Sequence, residues 1–223
     1  MPDNITRVSR FGFVNAYLVR EDDGLTLVDT MVPRSAKPIL AAAAALGAPI
    51  VRIALTHAHG DHIGSLDELA AALPEAEVLI SARDARLLGK DMTLDPGEPE
   101  DKLRGGYPGA RTRPSRTLTA GDTVGSLEVV AAPGHTPGQV AFFDRRDGTL
   151  LCADAFSTLG GVATAAKPNL RFPLVGMATW HRPTALHTAR ALRALDPARL
   201  APGHGKVVDA PGAEMDAAIA KAG

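Results

Sequence analysis

The chain holds a single cysteine, Cys152, so no intramolecular disulfide can form. It also lacks an apolar run long enough for a bilayer. Its most apolar stretch, 39–55, is interrupted by Gly47, Pro49 and Arg52, and no membrane segment is expected. Excess charge of one sign is missing as well, the formal net charge being −1. Arg104, Arg111, Arg113 and Arg116 cluster, but Glu98, Glu100 and Asp101 stand just before them. No sustained basic field faces a phosphate backbone, and nucleic acid is not an expected partner. Residues 1–20 lack a charged segment followed by an apolar one and a small-residue cleavage site, which makes a cytoplasmic location the expectation. With 45% hydrophobic and 22% charged residues the composition is that of a globular protein. Its 223 residues suit one domain, 1–223, able to bury a sizeable core.

What is present reads as alternating strands and helices. Residues 13–20 and 25–29 form two strands about the acidic, glycine-closed turn 21–24. Pro33 suits a first helical turn, and the alanine-rich run that follows ends at Gly47, so a helix is expected over 33–46. Strands are expected at 50–55, 78–80, 127–131, 140–143, 150–153 and near Leu200, with helices over 65–73 and 183–195. This order suits two sheets packed face to face with helices outside, a four-layer α/β sandwich. Between 91 and 115 the chain collects prolines and glycines without periodicity. A loop bordering a pocket and a disordered surface excursion are equal readings there.

The chemistry concentrates in His57-Ala58-His59-Gly60-Asp61-His62, which puts three imidazoles and a carboxylate within six residues where a strand passes into a helix. Gly60 is expected to let the backbone turn tightly enough for its neighbours to converge. Three more loops each offer one ligand-type side chain after a strand or beside glycine: His135, Asp154 and His204.

These residues, with Leu27-Val28-Asp29-Thr30, Gly134-His135-Thr136-Pro137-Gly138 and Gly203-His204-Gly205, stand in the order seen in the metallo-β-lactamase superfamily. The resemblance spans 27–205. It implies the αβ/βα sandwich of two mixed sheets with outer helices. It also implies that His57, His59 and His135 hold one metal, that Asp61, His62 and His204 hold a second, and that Asp154 bridges them. The implied cofactor is two zinc ions, with iron or manganese as alternatives. Two ions about 3.5–4 Å apart share a water and hold it as hydroxide, the nucleophile toward a polarised carbonyl. Asp61 would orient that hydroxide and accept its proton, while Asp29 would fix the ligands from behind.

Fold and metals do not choose the reaction. Only nineteen residues follow His204, which leaves little for the glutathione-binding extension of glyoxalase II enzymes. His59 stands where flavodiiron proteins have glutamate, and Ser157 stands where acyl-homoserine lactonases have tyrosine. The resemblance therefore implies a stand-alone hydrolase of the glyoxalase-II-like branch, acting on a small ester, thioester or lactone. The alternatives are a mononuclear-iron persulfide dioxygenase, a β-lactamase-like amide hydrolase, and a non-enzymatic role in which metals staple the fold. The expected partner is a small-molecule substrate, and nothing fixes the oligomeric state. Cys152, His181, His187 and Trp180 read more simply as core or surface residues, with Trp180 equally able to line a pocket. Cys152, two residues before Asp154 on a strand, is expected to share its face.

Overall fold

The structure, a computed structural model, describes residues 4–223; residues 1–3, the start of the stretch examined for a leader, lie outside them. Two six-stranded sheets carry the architecture. The first runs in spatial order through β1 (Ile5–Arg10), β2 (Val14–Arg20), β3 (Leu25–Val28), β4 (Ile50–Ala54), β5 (Glu77–Ser81) and β6 (Arg116–Leu118). Its first three strands pair antiparallel, and β3 through β6 pair parallel. The second sheet comprises β7 (Thr123–Val124), β8 (Leu127–Ala131), β9 (Val140–Asp144), β10 (Thr149–Ala153), β13 (Arg199–Pro202) and β14 (Val208–Asp209), with β10 and β13 parallel. A small hairpin of β11 (Phe156–Ser157) and β12 (Ala163–Thr164) stands apart.

Side-chain alternation assigns each strand residue to a layer. In β2, Ala16 and Leu18 face outward, while Tyr17 and Val19 face the opposite sheet. In β9, Phe142 faces inward to meet them, and Ala141 and Phe143 turn to the outer helices. Because both faces are covered, the strands read as nearly continuous apolar runs. The first sheet is covered by α1 (Ala36–Leu46), α3 (Leu66–Ala72) and α4 (Ala82–Leu88), the second by α6 (Arg182–Ala194) and α7 (Gly212–Ala222). The four-layer α/β expectation is borne out. Among the described residues no helix is long and apolar enough to cross a membrane.

The α1 helix starts at Ala36, three residues after Pro33, because Met31 and Arg34 adopt left-handed backbone (φ 57° and 68°) that no α-helix accommodates. Its end at Gly47 is as expected. The strand β1 and the helices α4 and α7 add to the elements read from sequence. Segment 91–115 forms no helix or strand but is tied to the body. Glu98 accepts from Arg83, Asp67 accepts from the N–H groups of Arg111 and Thr112, and Trp180 Nε1 donates to the Asp101 carbonyl at 2.9 Å.

Candidate metal centre

Parallel pairing brings the chemistry to one end of the sandwich. Asp29 follows β3 and His57 follows β4, and these neighbours point the same way; Asp154 and His204 likewise follow the parallel strands β10 and β13. Position 135 lies in the β8–β9 connection, and α2 (Gly60–Ile63) carries Asp61 and His62. The His204 loop is stitched to the first sheet: Asn15 N–H donates to Gly203 O, Asn15 Nδ2 to Pro202 O and Gly205 O, and Tyr17 OH to Pro202 O. Gly203 must be glycine, since a Cβ there would collide with Asp154 Oδ1 and the His62 ring. The reason expected for Gly60 needs correcting. Its backbone is ordinary helix, and a Cβ would instead press on the Pro108 ring at 3.2 Å.

All seven candidate ligands come together. Their donor atoms form three overlapping groups, each within 4.8 Å: His57, His59 and His135; His57, His62 and Asp154; Asp61, His62 and His204. The hydrogen-bond chains behind the rings fix which nitrogen is free. Thr56 Oγ1 donates to Asp29 Oδ2 (2.8 Å), so it accepts from His57 Nδ1 (3.0 Å) and leaves Nε2 with a lone pair. Thr179 Oγ1 donates to Val175 O (2.8 Å), so it accepts from His135 Nδ1 (3.1 Å). His59 Nε2 donates to the Arg104 carbonyl (2.9 Å), leaving Nδ1 facing His135 Nε2 at 3.0 Å. His62 Nδ1 donates to Asp29 Oδ2 (2.7 Å), leaving Nε2 3.3 Å from Asp154 Oδ1. His204 Nε2 lies 3.2 Å from Asp61 Oδ2 and 3.3 Å from Asp154 Oδ2.

Burial pushes His57 well down and His135 down to about 3, with the neighbouring imidazoles adding to the shift. For His62 and His204 burial acts the same way but the carboxylates prevail: Asp154 and Asp29 hold His62 well up, and Asp154 with Asp61 holds His204 at about 9. His57 Nε2, His62 Nε2, Asp154 Oδ1 and His204 Nδ1 are buried without a hydrogen-bond partner. An unsatisfied buried polar group costs about 1–3 kcal/mol. Three of them, on His57, His62 and Asp154, meet within 4.8 Å of one another, and this mixed nitrogen and oxygen set fits divalent cations of borderline softness.

Sequence reading missed Asp84. It sits fully buried in the first turn of α4 and accepts from Ala58 N–H (2.8 Å), Thr136 Oγ1 (2.9 Å) and Gly138 N–H (2.8 Å). One carboxylate thus clamps the His57–His59 loop to the His135 loop, and burial raises it to about 6 against those donors. Nothing in the sequence separates it from an ordinary first-turn acid. The Arg104 carbonyl and Thr179 were likewise invisible. Other candidates fall elsewhere. Cys152 packs with Leu150 and Leu200 under the outer helices, not beside Asp154, because Ala153 (φ 47°) breaks the strand alternation between them. Trp180 is buried and donates to the 91–115 segment without lining the cavity. His181 caps α6, where its ring accepts from Thr184 N–H, and His187 is exposed.

Above the cluster lies a cavity of about 100 Å³ lined in part by His59, Asp61, His135, Asp154 and His204, with Gly105 and Gly106 of the 91–115 segment on one side. That segment borders the site. A larger cavity of about 630 Å³, between the β11–β12 hairpin and α7, contains none of the seven residues.

This sandwich with its histidine-rich strand ends defines a class, and the chain belongs to the metallo-β-lactamase superfamily, whose members are metallo-hydrolases; residues 9–204 match that family. It is 46% identical over 210 residues to the uncharacterized protein YobT of Bacillus subtilis, covering 94% of this chain and 90% of YobT. Over 141 residues it is 33% identical to a hydroxyacylglutathione hydrolase of Gloeobacter violaceus, covering 63% of this chain and 48% of that enzyme. The chain thus spans about half the length of the hydroxyacylglutathione hydrolases it matches. Its fold superposes on the crystal structure of TTHA1623 in a di-iron-bound form with a TM-score of 0.67 and 25% identity, covering 93% and 95% of the two chains.

Proposed function

We propose that the protein is a hydrolase that uses two metal ions, zinc by preference, to cleave a small ester, thioester or lactone. The carrying observation is the convergence of buried ring nitrogens, four of which, on His57, His59, His62 and His135, have their partner nitrogens committed to acceptors. In this reading His57 Nε2, His59 Nδ1 and His135 Nε2 hold one ion, Asp61, His62 and His204 hold the other, and Asp154 lies between them. Ions bound there would supply Lewis acidity toward a carbonyl oxygen and lower the pKa of water. The protein's own part is to hold these atoms rigid, so that no reorganisation is needed during the reaction. Asp61, with its side chain 40% exposed, opens to the cavity, and in this reading its carboxylate takes a proton from the attacking water. The hydroxyacylglutathione hydrolase relatives favour a thioester; the di-iron form of TTHA1623 makes iron the competing metal.

Elemental mass spectrometry of the purified protein tests the reading. About two zinc ions per chain, falling to about one in His62→Ala, with turnover on an ester, thioester and lactone panel, is the expected result. One iron per chain, untouched by that substitution, transfers the site to oxygen chemistry.

A further inference from the structure

The cavity over the candidate ligands has two unlike walls. Gly105 and Gly106 present backbone on one side; Phe13, Phe172, Leu174, Val175 and Ala178 present hydrocarbon on the other. Phe13 and Phe172 pack edge to face (5.7 Å between ring centres), and both stand against the His204 ring, at 6.4 and 5.3 Å. The apolar wall therefore begins at a candidate ligand and runs outward. At the mouth it continues onto α5 (Leu174–Ala178), where Leu174 and Met177, three residues apart and so neighbours on the helix, are 58% and 59% exposed. Among the described residues no lysine or arginine lines this cavity, and its only charged side chains besides histidine are Asp61 and Asp154.

We propose that the substrate's acyl part is uncharged and apolar, a medium-length alkanoyl ester or thioester whose chain lies along Phe172, Leu174 and Met177. This rests on the hydrolase reading above. Exposed apolar residues that are continuous with a reactive site mark a ligand surface, and a carboxylate-bearing acyl chain would meet hydrocarbon here with no lysine or arginine to pair with. Water adds across the acyl bond: its oxygen joins the carbonyl carbon, the C–O or C–S bond breaks, and the leaving oxygen or sulfur takes the proton. No oxidant or reductant enters.

The test is a series of p-nitrophenyl esters from acetyl to decanoyl, with the monoadipoyl ester as the carboxylate-ended counterpart of hexanoyl, on the metal-replete protein. Each methylene that reaches the wall should raise kcat/KM, by up to about fourfold when fully buried, and the adipoyl ester should fall at least about tenfold below hexanoyl. In Leu174→Asp the ratio of octanoyl to acetyl kcat/KM should drop by about tenfold or more. Calorimetric binding of octanamide to the metal-free chain, weakened by the same substitution, reads the wall independently of activity. Turnover with no dependence on chain length, or with adipoyl preferred, overturns the acyl seat and leaves the hydrolase reading intact. Octanamide binding without turnover of any ester overturns the hydrolase reading, and the substrate assignment with it. A dimer in light scattering that Leu174→Asp dissociates, with the ester ratio unmoved, gives the wall to a second copy of the chain and overturns the proposal.

Discussion

The two ligand groups differ in what stands behind their imidazoles. His57, His59 and His135 are backed by neutral acceptors, the Thr56 hydroxyl, the Arg104 carbonyl and the Thr179 hydroxyl. Behind His62 stands the Asp29 carboxylate, His204 Nδ1 has no partner, and Asp61 opens to the cavity. The first group is a closed construction in which backing alone sets every tautomer. The second is held by charge and is half open. An ion in the first should therefore be held more rigidly than one in the second, whose Asp61 carboxylate faces the cavity.

Removing one histidine from each group breaks this comparison most severely. His57→Ala should lose the metal of the first group and reduce activity to background, because His57 is shared by two of the three donor clusters. His204→Ala should keep about one ion per chain. Elemental analysis with an ester assay checks both, and equal loss in the two variants would erase the distinction.

Asp84 supports the first group by holding both of its loops through neighbours of the candidate ligands, Ala58 in one and Thr136 in the other. Asp84→Asn should cost about 1–3 kcal/mol of stability by leaving a buried donor unsatisfied. It should also weaken metal binding about 10–100-fold, as losses of ligand-supporting groups do. Denaturant unfolding and competition with a chromophoric chelator measure the two effects, and a stability loss with metal affinity unchanged would make Asp84 a packing residue alone.

Asp29 sharpens the comparison because it reaches both groups: Oδ1 accepts from Thr56 N–H, while Oδ2 accepts from the Thr56 hydroxyl and from His62. Asp29→Asn should weaken the second ion about 10–100-fold and the first by less, since only the first is buffered through Thr56. Stepwise chelation, followed by stoichiometry, reads the order of loss.

The smallest effect is expected at Asp67, which anchors the segment that brings Arg104 to His59. Burial raises its carboxyl, but the Thr112 hydroxyl and the N–H groups of Thr112 and Arg111 outweigh burial and bring it down to about 2. A carboxyl held below its ordinary 3.8 stabilises the fold above that pH and loses the contribution as pH falls toward 2. Asp67→Asn should therefore cost less than about 1 kcal/mol, given its exposure to solvent. The deficit should be equal at pH 7 and pH 5 and begin to close only below about pH 4. Thermal unfolding across that range is the check.

The contiguous segment His57–His62 and the glycine-flanked loops around His135 and His204 made the candidate ligands readable, because they follow apolar runs visible in the sequence, while their division between two ions came from the family resemblance. The start of α1 was not readable, since left-handed backbone at Arg34 leaves no mark on composition. Cys152 was placed on the wrong face because alternation fails wherever a strand turns, as at Ala153. Asp84 and Thr179 escaped because their meaning lies in residues far along the chain.

By itself the sequence determined the order of apolar strands and helices, hence the layers, and the identity of the residues that can offer nitrogen or oxygen to a cation. Only the tertiary structure decided which nitrogen each histidine offers, which loops are clamped together and which wall of the cavity is hydrocarbon. The physical reason is that those choices rest on contacts between distant positions. His59 meets Arg104 45 residues on, His135 meets Thr179 44 residues on, and Asp84 meets Gly138 54 residues on. No local pattern encodes such pairs until two sheets have packed and set the ends of their strands side by side.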